Sequence, residues 1–193
     1  MRKTSRSSKK LGAVPKVIFS GNKELCNEIS RSGIKYGRFK TTSGKYTNFY
    51  VDIKGLFSMP TFLNAVTKEI VDLVKYDFNY NYIAGMELGA IPIISTVSYE
   101  TFIPMLMIRK EQKKYGTKSQ IEGYHDGGKV LVLEDVVNTG GSVIKTIDVL
   151  KKHGLQVITV ICVVCRSDSV NFDEFNKRNI ELVPLVTISG TKK

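Results

Sequence analysis

The stretch 129–142, KVLVLEDVVNTGGS, constrains this chain more than any other. It opens on Val130, Leu131, Val132 and Leu133, a short β-branched apolar run of the kind that forms a strand buried on both faces. Glu134 and Asp135 follow at once, then Val136 and Val137, then the small polar loop Asn138, Thr139, Gly140, Gly141, Ser142. Beyond the loop, residues 143–150 place apolar side chains at helical spacing. A loop with two glycines at a helix N-terminus can turn several backbone N–H groups onto one phosphate, and the helix dipole favours the anion. Two carboxylates beside that loop repel phosphate but suit sugar hydroxyls or a bound Mg²⁺. A buried strand rarely ends in two acids without a partner for their charge. The order strand, acid pair, glycine loop, helix therefore points to a phosphorylated sugar.

The rest of the chain alternates around this unit. A helix is predicted over 22–32, with Gly33 as its stop. Strands over 34–39 and 46–53 flank Thr42, Ser43, Gly44 and Lys45, which have hairpin chemistry. Ser58 reads as the cap of a helix starting at Pro60 and running to about Lys75. From Tyr82 the rhythm is β-α-β: strands over 82–85, 104–108, 121–124, 130–133, 156–164 and 181–188, and helices over 91–101, 141–153 and 171–177. The fold class is α/β, with a central, mainly parallel sheet flanked by helices and a small N-terminal β-hairpin hood. Ligands of such sheets sit outside the carboxyl ends of the strands. The segments 87–90, 109–114 and 134–142 and Arg166 all fall there, which implies one shared site.

The chain has 193 residues, enough for a single domain, here placed over 17–193. Its net charge of +11 is partly local: residues 1–16 form a tail expected to be disordered, and MRKTSRSSKK at its start carries five basic residues and no acid. A solvated tail is the plainest reading, with a weak organellar presequence or a nucleic-acid arm as alternatives. No apolar run nears the roughly 20 residues a bilayer span needs, so no membrane partner is expected. Cys162 and Cys165 read C-x-x-C inside an apolar strand, where residues three apart point to opposite faces. They are read as core residues, and with Cys26 they fit a reducing, cytoplasmic setting.

With the order complete, the chain resembles the orotate phosphoribosyltransferases, members of the type I phosphoribosyltransferase fold, over 22–188. It is especially similar to the transferase domain of bifunctional UMP synthases. The resemblance is carried by Thr42-Ser43-Gly44-Lys45 with Asn48-Phe49-Tyr50, by Ile103-Pro104-Met105-Leu106, by RKEQKKYGTK over 109–118, by Glu122-Gly123, and by the 134–142 signature. It implies a pentosyltransferase of pyrimidine biosynthesis that joins orotate to phosphoribosyl diphosphate, releasing diphosphate, with Mg²⁺ as cofactor. It also implies a homodimer with shared active sites, in which Arg109, Lys110 and Lys113 on a mobile loop close over the diphosphate. Tyr115 lies on the same loop. Glu134 and Asp135 would hold the ribose hydroxyls, directly or around a Mg²⁺ that arrives with the substrate. Asn138, Thr139, Gly140, Gly141 and Ser142 would cradle the 5′-phosphate. Arg166 would pair with the orotate carboxylate, with Asn138, Tyr50 and Val51 beside the pyrimidine. Arg109, Lys110, Lys113 and Asp135 are the expected catalytic group. Because no sequence follows Lys193, no decarboxylase domain is expected.

The departures from the family pattern gather at the base. Thr42 stands where the hairpin usually has lysine, with Lys40 two residues earlier on the same strand face. Asn138 stands where Ser or Thr is usual, and Ser167-Asp168-Ser169 replace the usual residues after Arg166. Two other readings follow: a phosphoribosyltransferase for another nucleobase, and a non-catalytic regulator that senses phosphoribosyl diphosphate and uses its basic tail on nucleic acid. Retention of Arg109, Lys110 and Lys113 weighs against the regulator, and nucleic acid is not an expected partner.

Overall fold

The computed structural model describes residues 17–40, 44, 46–75, 79–112 and 119–190. Its first strand, β1 (Val17–Gly21), has no counterpart in the sequence-based assignment. Asn22 then caps α1 (Lys23–Glu28), its side-chain oxygen accepting from the Leu25 N–H at 3.0 Å, and the helix widens into a π turn over Ile29–Gly33. The hairpin β2 (Ile34–Lys40) and β3 (Tyr46–Val51) forms a separate two-stranded antiparallel sheet, as predicted. Strand β3 stops two residues early, because Asp52 caps a short helix, α2 (Ile53–Leu56), by accepting from the Gly55 N–H.

Helix α3 (Pro60–Val74) buries Phe62, Val66, Ile70 and Val74, one residue per turn on a single stripe. Met59 occupies its cap position and makes no side-chain cap bond; Ser58, the predicted cap, instead donates from Oγ to the Gly55 carbonyl at 2.7 Å. The α/β part follows with β4 (Tyr82–Met86), α4 (Ile91–Thr101), β5 (Met105–Ile108), the two-residue β6 (Ile121–Glu122), β7 (Gly128–Val137), α5 (Gly141–Lys152), β8 (Leu155–Arg166), α6 (Phe172–Asn176) and β9 (Glu181–Gly190).

Among the described residues the main sheet has the order β1-β9-β8-β7-β4-β5-β6. The four pairings among β4, β5, β7, β8 and β9 are parallel, and the antiparallel β1 and β6 close the two edges. Two apolar clusters pack on opposite faces of β7. One contains Leu131 and Leu133 with α3 and α4; the other contains Val130 and Val132 with Val143, Ile147 and Leu150 of α5. No helix among the described residues is long and apolar enough to cross a membrane.

Strands β7 and β8 run further than predicted, and their alternation slips at the same level. Leu133 and Val136, three apart, pack in one cluster; Cys162 and Cys165, also three apart, are both fully buried in the other. The expectation that the two cysteines face opposite sides is therefore corrected, while their place in the core stands. The slip has a consequence for β7. Neighbours on a regular strand point to opposite faces, yet adjacent Glu134 and Asp135 both reach one cleft.

Candidate active site

The cleft lies beyond the carboxyl ends of β4, β7 and β8, roofed by the β2–β3 hairpin, and its volume is about 710 Å³. That size suits ligands larger than a single base or sugar. At its centre are Glu134 and Asp135, 7% and 5% exposed. The Asp135 carboxylate is held on three sides. Its Oδ1 accepts from the Val136 N–H at 2.8 Å, its Oδ2 pairs with Lys54 Nζ at 2.6 Å, and Gly89 presses against it. Burial would lower the Lys54 ammonium, but the hydrogen bond and charge of Asp135 outweigh it and hold the pKa above the ordinary value. Glu134 accepts from the Asp135 N–H at 3.2 Å. Burial pushes its carboxyl well above the usual range, and the adjacent Asp135 adds to the shift.

One side of the cleft is the glycine loop. Asn138, Thr139 and Ser142 line it. Gly140 adopts a left-handed φ of 89° at the start of α5, and a Cβ there would stand 2.8 Å from the buried Phe175 ring. Only glycine meets both demands without strain. The Thr139 carbonyl accepts from the Asn171 N–H, which ties the loop to α6.

On another side stands Arg166, at the end of β8. Its guanidinium lies 4.4 Å above the Phe49 ring, donates to Thr47 Oγ1 at 3.4 Å, and pairs with Asp168 Oδ2 at 3.3 Å. Its Nε is buried and makes no hydrogen bond among the described residues. Asp168 also accepts from the Gly190 N–H and the Ser169 hydroxyl. Burial works against its charge, but these bonds and the Arg166 cation keep the carboxyl below its usual range. Tyr50 and Val51 complete this wall, Tyr50 half-exposed and Val51 buried, and Lys40 reaches the rim.

The loop 86–90 forms the remaining side. Glu87 Oε1 accepts from the Lys110 N–H at 3.0 Å, which joins this loop to the base of the charged segment after β5. Lys110 lines the cleft; Arg109 does not, and its guanidinium turns to Glu122 at 3.5 Å. Lys113 and Tyr115 lie outside the described residues, as do Thr42 and the tail 1–16. The fold thus gathers Glu134, Asp135, Asn138, Thr139, Ser142, Lys110, Arg166, Tyr50 and Val51 around one cavity, and leaves Arg109 at its edge.

Sequence reasoning missed Lys54, and it missed the stacking of Arg166 on Phe49. The ion pair of Lys54 joins residues 81 apart in sequence, and the only local sign was an isolated lysine in the apolar context Ile53-Lys54-Gly55-Leu56.

A family model, the phosphoribosyl transferase domain, matches residues 53–188. The orotate phosphoribosyltransferase of Pyrococcus horikoshii is 43% identical over 169 residues, covering 86% of this chain and 90% of that protein. The chain belongs to the orotate phosphoribosyltransferase family. Among solved structures, that of orotate phosphoribosyltransferase from Aeropyrum pernix superposes with a TM-score of 0.73 at 26% identity, covering 84% of this chain and 92% of the other. Leishmania donovani UMP synthase gives a TM-score of 0.74 at 28% identity, covering 85% of this chain and 36% of that longer protein. Members of this family are pentosyltransferases, and the expected fold, with its mainly parallel sheet and separate hairpin, is the one observed.

Proposed function

We propose that the chain transfers the phosphoribosyl group of phosphoribosyl diphosphate to orotate, giving orotidine 5′-phosphate and diphosphate in pyrimidine biosynthesis. The observation that carries this reading is the pairing of two unlike ends in one cleft. An acid pair and glycine loop suit a ribose phosphate, and the Arg166 guanidinium, stacked on Phe49, lines the same cavity. A guanidinium recognises a planar carboxylate with two parallel bonds.

In the reaction, the ring nitrogen of orotate forms a bond to C1 of the ribose as the C1–oxygen bond to diphosphate breaks. The bonding electrons leave with the diphosphate, and the ring-nitrogen proton is lost to solvent. Asp135 and Glu134 fix the ribose hydroxyls, and the loop 138–142 holds the 5′-phosphate through backbone N–H groups. Arg166 orients the base over the Phe49 side of the hairpin. This alignment converts a two-body encounter into a positioned displacement. Lys110, with Arg109 and Lys113 on the same segment, places positive charge where the leaving group develops negative charge.

Mg²⁺ fits this site as a companion of the donor. Glu134 and Asp135 offer hard oxygen ligands, whereas no group of three or more His, Cys, Asp or Glu capable of holding a metal occurs among the described residues. The remaining ligands would come from donor oxygens and water, and the ion would supply charge neutralisation of the diphosphate. The reading also includes a cytoplasmic homodimer with shared active sites.

The test is formation of orotidine 5′-phosphate by the wild type and by Lys113→Ala. The wild type should turn over, and the variant should lose at least about tenfold in rate, roughly 1.4 kcal/mol of barrier. An unchanged rate in the variant would remove the loop from the mechanism.

A further inference from the structure

Lys54 belongs to no part of the motif pattern, yet among the described residues its side chain pairs with Asp135 from outside that residue's own strand. It projects from α2, whose start is set by Asp52 through the Gly55 N–H. Asp52 is itself paired with Lys35 of β2, so the helix is anchored to the hairpin. The two ends of the ion pair differ in environment: the Lys54 side chain is 48% exposed and that of Asp135 is 7% exposed. A buried carboxylate is costly without a compensating cation. Here the cation arrives on a flexible stem from the solvent side of the cleft. The Gly89 backbone lies close to the same oxygen, since a single carbon added there would stand 2.5 Å from Oδ2. The Val136 N–H, the Gly89 backbone and Lys54 thus surround the carboxylate, and of the three only Lys54 reaches it with a side chain.

We infer that Lys54 is a donor-positioning residue: its ammonium holds the Asp135 carboxylate in the orientation that receives the ribose hydroxyls of phosphoribosyl diphosphate. This rests on the proposed function, and it adds to it a residue on a different element from the signature. The ammonium also remains on the cleft wall beside the entering donor, so the negative donor meets a screened acid pair instead of two bare carboxylates. The effect on the base should be the smaller one, because Lys54 makes no hydrogen bond or ion pair with Arg166 or Asp168 among the described residues and meets the base wall only through the charge it shares with Tyr50.

The experiment compares wild type, Lys54→Met and Lys54→Arg in the full chain, varying phosphoribosyl diphosphate at saturating orotate and the reverse. Lys54→Met should raise the donor KM about tenfold or more and leave the orotate KM within about twofold. Lys54→Arg, which keeps the charge and reach, should recover most of the loss. Calorimetric binding of phosphoribosyl diphosphate alone gives a readout independent of the base. If the wild type binds donor but does not use orotate, the proposed base is wrong, and the inference is judged on donor affinity across the three proteins. An unchanged donor KM and affinity in Lys54→Met, or an equal rise in both KM values, overturns it. Lys54→Arg behaving like Lys54→Met despite a wild-type melting temperature also overturns it.

Discussion

Replacing Gly89 by alanine tests the placement of Asp135 with little backbone cost. Gly89 is not among the residues with positive φ, so alanine can adopt its conformation. The added carbon, however, would stand 2.5 Å from Asp135 Oδ2, 2.6 Å from its Cγ and 2.7 Å from Oδ1. Restoring ordinary contact requires the carboxylate to retreat by about 0.9 Å. It cannot do so while keeping both the 2.8 Å bond from Val136 and the 2.6 Å pair with Lys54. Forcing an extra methyl into a packed site costs about 1–3 kcal/mol. At about 2–4 °C per kcal/mol for a chain of this size, the melting temperature should fall by roughly 2–12 °C. A misplacement near 1 Å at a reacting centre can cost about 100-fold, so kcat/KM for phosphoribosyl diphosphate should fall by about 10–100-fold. Steady-state kinetics and thermal unfolding of the same preparation measure both quantities. Wild-type kcat/KM with an unchanged melting temperature would refute the claim that Asp135 is held in a fixed orientation for the donor.

Two further outcomes follow from the same geometry. Arg166→Ala removes a charged partner worth about 1.5–3 kcal/mol, so the orotate KM should rise about 10–150-fold while the donor KM stays within about threefold; an equal change in both would mean that Arg166 does not face the base. Glu134 has a folded pKa raised by burial first and by Asp135 second, so the stability it contributes is complete below its unfolded value of about 4.3 and is lost as pH rises through the folded value. The melting temperature of Glu134→Gln minus that of wild type should accordingly become more positive from about pH 4 to about pH 8, and a flat or declining difference would contradict the burial argument.

The parts of the fold that were legible share a cause. Strand β7, the glycine loop and α5 form one local unit, and apolar runs, glycines and helical spacing are local signals. Helices α3 and α4 showed through for the same reason. What escaped depended on distant partners. Strand β1 is a five-residue edge strand whose pairing with β9 lies at the far end of the chain. Helix α2 has four residues and is set by Asp52 rather than by any apolar period. The β7 strand continues through two acids because Glu134 pairs in register with Cys162 of β8 and Asp135 meets Lys54, neither of which is visible from the strand itself. The slip that brings Cys162 and Cys165 to one face likewise belongs to the sheet and not to the C-x-x-C spacing. At the site, residue types in a motif were readable, whereas Lys54 and the Arg166–Phe49 stacking required the folded chain.

Joining a phosphoribosyl donor to a carboxylated pyrimidine is the activity proposed for the cleft. Its most direct test is diphosphate release from phosphoribosyl diphosphate and Mg²⁺ with orotate, uracil, hypoxanthine or adenine supplied in turn. Orotate should support turnover at least about 100-fold faster than the other three, in keeping with about 3 kcal/mol from the Arg166–carboxylate pair. Turnover with a purine or uracil and none with orotate would contradict it.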